Sequence, residues 1–188
     1  MALKATIYKA QLQIADMDRH VYGDHNLTLA CHPSETEERL MIRVLAFALN
    51  LPADELRGRL EFTKGLSDVD EPDLWQLDLT GDVVHWIDLG QPDERRLMKA
   101  HGRAERVSVY SFASSTDVWW KGLESKLTRT PKLTVWQIPA EQSQALARLA
   151  ARSMQLQISI QDGSVYVSTT DASVEIHPVA LKRAADAA

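Results

Sequence analysis

Two short strand-like segments joined by a glycine turn constrain the fold of this chain more than any other feature. The first segment begins at Asp73, the second ends at Asp88, and Thr80-Gly81 lies midway between them. A two-residue turn containing glycine, placed between two β-like segments, is typical of a β-hairpin. In a hairpin with that turn, Trp75 lies opposite Trp86 and Asp73 lies opposite Asp88.

Two carboxylates on directly opposite positions of a hairpin repel each other, because cross-strand neighbours lie roughly 4.5–5.5 Å apart at Cβ. The arrangement is therefore unfavourable unless a cation or a shared proton lies between Asp73 and Asp88. Hard divalent cations such as Mg²⁺ are the usual occupants of sites made only of oxygen ligands. Three alternatives stay open: a register slip of one residue, strand ends that fray into water, and acids that are simply solvated.

Length and composition indicate an ordinary globular protein of one domain, residues 1–188. No apolar run approaches the roughly 20 residues of a membrane span, so we expect no membrane partner. Cys31 is the only cysteine, which excludes a disulfide within the chain and agrees with a reducing cytoplasm. The sequence does not determine the oligomeric state, and a monomer is favoured.

Charge is distributed unevenly along the chain, although the net charge is only −5. Residues 54–93 carry 11 Asp and Glu against 3 Lys and Arg, a balance of −8. Residues 94–132 carry 9 Lys and Arg against 4 Asp and Glu, a balance of +5. The net charge argues against a general nucleic-acid coat protein. The adjoining segments fit either an ordinary mixed surface or a metal site beside a cationic surface that could hold phosphates.

The remaining pattern alternates strands with helices. Leu3 to Ile14 alternates like a strand, and Ser34 followed by Glu37 is a capping-box pattern that opens a helix running to Asn50. Further helices are expected from Pro92 to Gly102, over 114–127 and over 139–152, and further strands at 27–30, 60–63, 107–112, 133–138, 156–161, 165–168 and 174–177. This order predicts an α/β core over 34–152 and a separate sheet formed by 1–31 and 154–178.

The order of elements in the core resembles a known fold. A helix, a strand, an antiparallel hairpin bearing Pro72-Asp73 and a later acid, a helix and a strand resemble the core of the PD-(D/E)XK nucleases. The resemblance implies a restriction-endonuclease-like α/β (α+β) core with an additional sheet of N- and C-terminal strands. In that fold the two acids bind Mg²⁺, and Asp73 and Asp88 would occupy their positions.

Three longer segments resemble the YaeQ family, small bacterial proteins of unestablished function whose fold is understood as a variant of that nuclease fold. The segments are MALKATIYKA at residues 1–10, HPSETEER at 32–39 and LGQPDERR at 89–96. They are specific and spread along nearly the whole chain, so this resemblance implies the fold more firmly than it implies an activity.

Members of the nuclease fold often supply a third acid from the first helix, and Glu35 and Glu38 are the candidates here. They are three residues apart and share a helix face. Glu38 is preferred, because an acid in the first turn at Glu35 is explained by the helix dipole alone. The resemblance thus implies a Mg²⁺ or Mn²⁺ site of Asp73, Asp88 and Glu38. The alternative for Glu38 is a solvated charge or the partner of a nearby arginine.

The chain departs from the nuclease pattern at one position, where Gly90 stands in place of the usual lysine. That lysine helps to orient the attacking water and to stabilise developing negative charge. Arginine can stabilise such charge but cannot act as a base at neutral pH. The substitutes are Gln91 and Lys99 as catalytic residues, Arg95 and Arg96 as substrate-binding residues, and Lys64 as another source of a cation.

Two principal functions therefore stay open. The first is a Mg²⁺-dependent nuclease-like phosphodiesterase that acts on DNA or RNA, with the metal lowering the pKa of a bound water. The second is a protein that keeps the fold without catalysis and binds a nucleic acid or a protein partner, as Gly90 favours. A third idea is a purely structural cluster of acids. Convergence of Glu38, Asp73 and Asp88 within metal-bridging distance would favour the first. The six histidines show no metal-ligand spacing, and His85 is expected to pack or to lie at the surface.

Overall fold

The computed structural model describes residues 4–185 and has two β-sheets and four helices. The first sheet combines N-terminal and C-terminal strands in the order β10-β9-β8-β1-β2. Its strands are β1 (Thr6–Asp16), β2 (Val21–Cys31), β8 (Ser153–Gln161), β9 (Ser164–Ser168) and β10 (Ser173–Ile176).

Burial in the first sheet follows the period of two that its sequence indicates. Alternate residues of β1 and β8 are buried on one face, and polar residues lie on the other. β1 pairs with β2 antiparallel and with β8 parallel. The second strand is much longer than the predicted segment 27–30. Leu3, the first residue of the predicted N-terminal strand, lies outside the described residues.

The second sheet has six strands in the order β11-β7-β6-β5-β4-β3. β5, β6 and β7 are parallel neighbours, and the other pairs are antiparallel. The strands are β3 (Leu60–Phe62), β4 (Leu74–Leu77), β5 (Val83–Leu89), β6 (Ala104–Ser111), β7 (Leu133–Gln137) and β11 (Val179–Lys182). The pattern did not predict β11, which adds a C-terminal edge to this sheet.

Helix α1 (Glu37–Asn50) packs between the two sheets, and its residues Leu40 to Ala48 are all buried. Its first residue differs from the predicted one. Thr36 is the N-cap, and its hydroxyl accepts a hydrogen bond from the backbone N–H of Arg39 (3.2 Å). The predicted capping box of Ser34 and Glu37 is therefore wrong, because the helix begins two residues later than that pattern requires.

Helices α2 (Glu94–Arg103) and α3 (Thr116–Lys121) cover the opposite face of the second sheet, and α4 (Ala140–Ala147) packs beside α1. α3 is shorter than the predicted helix 114–127, because a separate 3-10 turn follows it at Glu124–Lys126. α4 likewise ends at Ala147, before the predicted residue 152. None of the helices within residues 4–185 is long and apolar enough to cross a membrane.

The hairpin of β4 and β5 has the predicted pairing of Trp75 with Trp86, but a different turn. The backbone N–H of Asp78 donates to the carbonyl of Asp82 (3.0 Å), and Gly81 has a φ of +89°. The loop therefore has three residues, with glycine in the left-handed position, instead of the predicted two. A bulge after Gln76 compensates for the extra residue and restores the expected register.

Candidate functional site

Asp73 and Asp88 lie at one cavity of about 270 Å³, beside the carboxyl end of β5. β4 runs antiparallel to β5, so the residue before β4 lies next to the end of β5. The backbone N–H of Asp73 donates to the carbonyl of Ile87 (3.0 Å), which fixes this placement. The cavity is lined by Arg39, Asp73, Asp88, Gln91, Arg96 and parts of the loop 65–69.

Both carboxylate oxygens of Asp73 accept hydrogen bonds inside the protein. One accepts from the backbone N–H of Leu89 (2.8 Å), and the other accepts from Nη2 of Arg39 (2.6 Å). The side chain is 6% exposed. A carboxylate at this depth needs such partners, since an unpaired buried charge costs several kcal/mol, roughly.

Asp88 makes a two-pronged ion pair with Arg96. The Nε and Nη2 atoms of Arg96 donate to separate carboxylate oxygens, each over 2.8 Å. Burial raises the pKa of Asp88, whose side chain is 2% exposed, and the hydrogen bonds and charge of Arg96 offset part of that rise. Arg96 also donates to the carbonyls of Val69 and Glu71, so it joins Asp88 to the loop over the cavity.

The cations near the two carboxylates are therefore arginines. Asp73 and Asp88 were predicted to need a cation nearby, and Arg39 of α1 and Arg96 of α2 occupy that role. Arginine suits it, because its planar fork matches a carboxylate over two parallel hydrogen bonds.

Glu35, which lies just before α1, extends this network of acids and arginines. Its side chain is 2% exposed, and it accepts from Nε and Nη2 of Arg43 (2.9 and 2.8 Å). Nη1 of Arg39 reaches the same carboxylate at 3.3 Å, so Arg39 joins Glu35 to Asp73. Glu35 was the less favoured acid in the sequence-based prediction, which did not include Arg39 or Arg43. The available signal was Arg43, a charge on a helix whose surface is otherwise almost entirely apolar, which requires a buried acidic partner.

Glu38, the preferred third acid, does not line this cavity. Its carboxylate accepts a hydrogen bond from the hydroxyl of Ser143 in α4 (2.7 Å). The reason lies in the helix start: with Thr36 as N-cap, Glu35 precedes the first turn and turns inward towards Arg43. The helix-dipole argument against Glu35 therefore does not hold.

The residues proposed to replace the missing lysine are dispersed. Gln91 lines the cavity, and its amide donates to the hydroxyl of Ser115 (2.9 Å). Arg95 is exposed, and Lys99 pairs with Asp70 at the surface. Arg96 binds Asp88 as described, and Lys64 lines a neighbouring cavity.

Gly90 has a backbone reason for lacking a side chain. Its φ is +94°, a conformation that favours glycine, and its N–H donates to the carbonyl of Tyr110 (2.8 Å). Space is not the limit, because no atom lies within 4 Å of where a Cβ would be. A lysine at this position would strain the backbone rather than clash.

The possible metal ligands at this cavity, chiefly the carboxylates of Asp73 and Asp88, fit a divalent metal poorly. In the part of the chain that the structure describes, no group of three or more His, Cys, Asp or Glu side chains is placed to hold a metal ion. Each carboxylate oxygen of Asp73 and Asp88 already accepts a hydrogen bond, and the two nearest cations are guanidinium groups. Asp73 and Asp88 instead form an acid–arginine network with Arg39 and Arg96 at this cavity.

Comparison with known proteins identifies close relatives over nearly the whole chain. The YaeQ protein family matches residues 1–178. A protein named "Uncharacterized protein YaeQ" from Escherichia coli (strain K12) is 43% identical over 184 residues, 97% of this chain and 99% of the relative. The crystal structure of YaeQ protein from Xanthomonas axonopodis pv. citri has a TM-score of 0.89 at 46% identity and covers 95% of this chain and 99% of its own. That from Pseudomonas syringae has a TM-score of 0.87 at 36% identity, with 95% and 96% covered.

Proposed function

We propose that this chain, which belongs to the YaeQ family, is a nuclease-fold protein that binds nucleic acid without cleaving it. The observation that carries this proposal is the pairing of both pocket acids with arginine. Asp73 and Asp88 are paired with Arg39 and Arg96, whereas the resemblance to the nuclease fold implies that these two acids would hold a metal.

The order of elements supports the nuclease-like core. Helix α1 is followed by β3, the hairpin of β4 and β5, helix α2 and strand β6, in the order that the resemblance implies. Asp73 and Asp88 lie together at the end of this hairpin, as the same resemblance predicts.

Three features disfavour hydrolysis in this arrangement. The carboxylates are engaged by hydrogen bonds, the third acid Glu38 faces α4, and Gly90 offers no side chain. Metal-assisted hydrolysis needs open ligand positions for the ion and a water. Arg96 cannot replace a base, because its guanidinium stays protonated.

A cationic face supports binding to an anionic polymer. α2 and α3 cover the same apolar core, so their exposed side chains share one side of the molecule. Lys126 lies 3.7 Å from Glu94, which shows that α2 and the turn after α3 are neighbours. We define the α2–α3 face by its exposed cations Arg95, Arg103, Lys121 and Lys126. Such a cluster beside a cavity suits backbone phosphates.

The test is a binding and cleavage assay with labelled single- and double-stranded DNA and RNA. We expect binding that needs no metal and weakens with salt, and no cleavage with Mg²⁺ or Mn²⁺. The double variant Arg95→Ala with Lys121→Ala should weaken binding about tenfold or more and flatten the salt dependence by roughly two phosphate contacts. Arg148→Ala, an exposed arginine after α4, is the matched control. No binding to any nucleic acid would overturn the proposal and leave a protein partner as the alternative.

A second candidate is the Mg²⁺-dependent phosphodiesterase itself, favoured by the shared cavity of Asp73, Asp88 and Gln91. It requires that Mg²⁺ displace Arg39 and Arg96 from the carboxylates. Metal-dependent cleavage that disappears in Asp88→Asn, together with Mg²⁺ binding by calorimetry in the wild type, would establish this candidate in place of the first.

A further inference from the structure

A second cavity, of about 530 Å³, lies on the other face of the second sheet from α2 and α3. On the α1 side of that sheet, His85 of β5 is the register neighbour of Gln76 in β4 and of Arg106 in β6. These three residues form a polar row near the end of β5 opposite to Asp88. The cavity is lined in addition by Arg19, Asn50, Asp54, Arg57 and Glu105.

Among the cations of this cavity, the Arg106 side chain is the one without an ion-pair partner in the described part of the chain. Arg19 binds Asp16 and two carbonyls at the C-terminal end of α1, those of Ala48 and Leu51. Arg57 and Glu105 form a two-pronged pair (2.7 and 2.6 Å). The exposed side chain of Arg106, by contrast, makes no hydrogen bond or ion pair within residues 4–185.

The surroundings of Arg106 carry a positive field. Arg106 is exposed at the edge of the cavity, yet desolvation and the nearby charges of Arg19 and Arg57 lower its pKa, and Glu105 opposes them only in part. The field therefore favours an additional negative charge close to this guanidinium. Asp54, the other acid of the lining, accepts a hydrogen bond from the backbone N–H of Leu56 in its own loop.

His85 supplies an independent observation in the same cavity. It is 4% exposed, its Nε2 lies 2.7 Å from the hydroxyl of Ser108, and its Nδ1 has no hydrogen-bond partner within the described chain. A buried ring nitrogen without a partner is uncommon and calls for an explanation. Burial and the charges of Arg106 and Arg19 keep this ring neutral, with a pKa of about 3, so it can donate a hydrogen bond but cannot serve as a base at neutral pH.

We propose that this cavity, which we call the Arg106 cavity, binds the phosphate group of a small molecule, with Arg106 as its cation and His85 as a neutral hydrogen-bond donor after a small local shift. Phosphate suits the fork of arginine, which offers two parallel donors. A proton on Nδ1, with Nε2 accepting from Ser108, is the tautomer that such a ligand requires. The site is separate from the α2–α3 face, so this proposal does not depend on nucleic-acid binding.

The experiment is a thermal unfolding series at constant ionic strength, with chloride exchanged stepwise for inorganic phosphate, glycerol phosphate or citrate. Phosphate stabilises many proteins by exclusion from their surface, so only a saturable difference between variants is informative. We expect a saturating rise in Tm for the wild type and for Arg148→Met. Arg106→Met should lose the saturable part, and Arg106→Lys should need at least about tenfold more phosphate, because lysine offers a point charge without the fork.

The three anions separate the sources of the phosphate group. A tighter response to glycerol phosphate than to inorganic phosphate indicates a phosphate ester as ligand, and the reverse order indicates the free ion. An equal rise of Tm in the wild type, Arg106→Met and Arg148→Met would overturn the proposal. So would a stronger saturable response to citrate than to either phosphate, because the site would then select carboxylates.

A second experiment detects ligand binding at the Arg106 cavity by NMR, independently of thermal stability. Long-range ¹⁵N–¹H spectra of the imidazole groups should show His85 shifting to the tautomer protonated at Nδ1 as phosphate is added. In Arg106→Met the His85 signals should stay unchanged over the same range. Movement of His85 in that variant would contradict the role given to Arg106.

Discussion

The two ends of β5 differ in whether their polar side chains have partners within the protein. At the carboxyl end, Asp73 and Asp88 each have an arginine partner, and Glu35 brings the network to three acids and three arginines. At the amino end, His85 keeps a nitrogen without a partner and Arg106 has no acid within the described chain. Removing one member of a buried ion pair leaves the other charge unpaired and destabilises the fold, whereas a polar group without a partner can bind a ligand.

The largest effect on the free energy of unfolding should come from removing Glu35, which pairs with Arg39 and Arg43. Glu35→Ala leaves Arg43, whose side chain is 5% exposed, without its carboxylate and should lower the free energy of unfolding by about 3–5 kcal/mol. Glu38→Ala, which removes only the hydrogen bond with Ser143, should cost about 1 kcal/mol. Urea unfolding at pH 7.5 compares the two. Equal costs would mean that Glu35 is not the structural acid of this helix.

Removing Arg96 should give the next largest effect. Arg96→Met leaves Asp88 buried without its ion pair and should cost about 3 kcal/mol at neutral pH. Burial raises the pKa of Asp88, and without Arg96 the rise is larger, so the folded state binds the proton at a higher pH than the unfolded state. The free energy of unfolding of the variant should therefore recover as the pH falls towards 5.

Unfolding curves of Arg96→Met at pH 7.5 and pH 5 test this direction, with Lys99→Met as the matched control from the same helix. Lys99 pairs with the exposed Asp70, so its removal should change little. Asp88→Asn should also be destabilising, although repulsion between two facing acids alone would predict the opposite. A more stable Asp88→Asn would show that the pair with Arg96 is weak.

His85, near the amino end of β5, should make the free energy of unfolding depend on pH. Burial lowers the pKa of His85 from its ordinary value of 6.5 to about 3, so the unfolded state binds the proton first as the pH falls. The stability associated with neutral His85 is present above about pH 6.5, and about 2 kcal/mol of it should be lost between pH 7 and pH 5. His85→Gln should remove this part of the pH dependence. His177→Gln, at an exposed position, should keep it.

The smallest effect is expected for Arg106→Met in buffer without phosphate. Because the exposed side chain of Arg106 has no partner to lose within residues 4–185, the free energy of unfolding should change by less than about 0.5 kcal/mol. Arg96→Met is expected to lower the free energy of unfolding several times more than Arg106→Met does. The ratio of the two losses compares the two ends of β5. A large loss at Arg106 would mean that its side chain is a structural element.

Much of the fold could be predicted because local patterns and the final packing agree. The alternation in β1, the apolar surface of α1 and the pairing of Trp75 with Trp86 all follow from residues close in sequence. The turn of the hairpin was mistaken in length, yet the bulge after Gln76 compensated for it. Such local compensation leaves no trace in the hydrophobic pattern, because Trp75 and Trp86 face each other in either case.

The site was harder to predict, because its partners are distant in sequence. The approach of Asp73 to Asp88 follows from one hairpin, but their pairing with Arg39 and Arg96 depends on how α1 and α2 pack against the sheet. Glu38 was preferred over Glu35 on the assumption that the helix starts after Ser34. The start at Thr36 reverses that choice. A shift of two residues at a helix N-terminus is enough to exchange a buried acid for a peripheral one.

The parallel pairing of β1 with β8 also has a consequence for how the chain is made. Residues 9–16 pair with residues 153–160, so each of these β1 residues has its partner 144 residues further along the chain. Until that partner is synthesised, the hairpin of β1 and β2 keeps an open edge on which another chain could pair. Contacts this distant along the sequence slow folding, and the first sheet can form only after β8 has been synthesised.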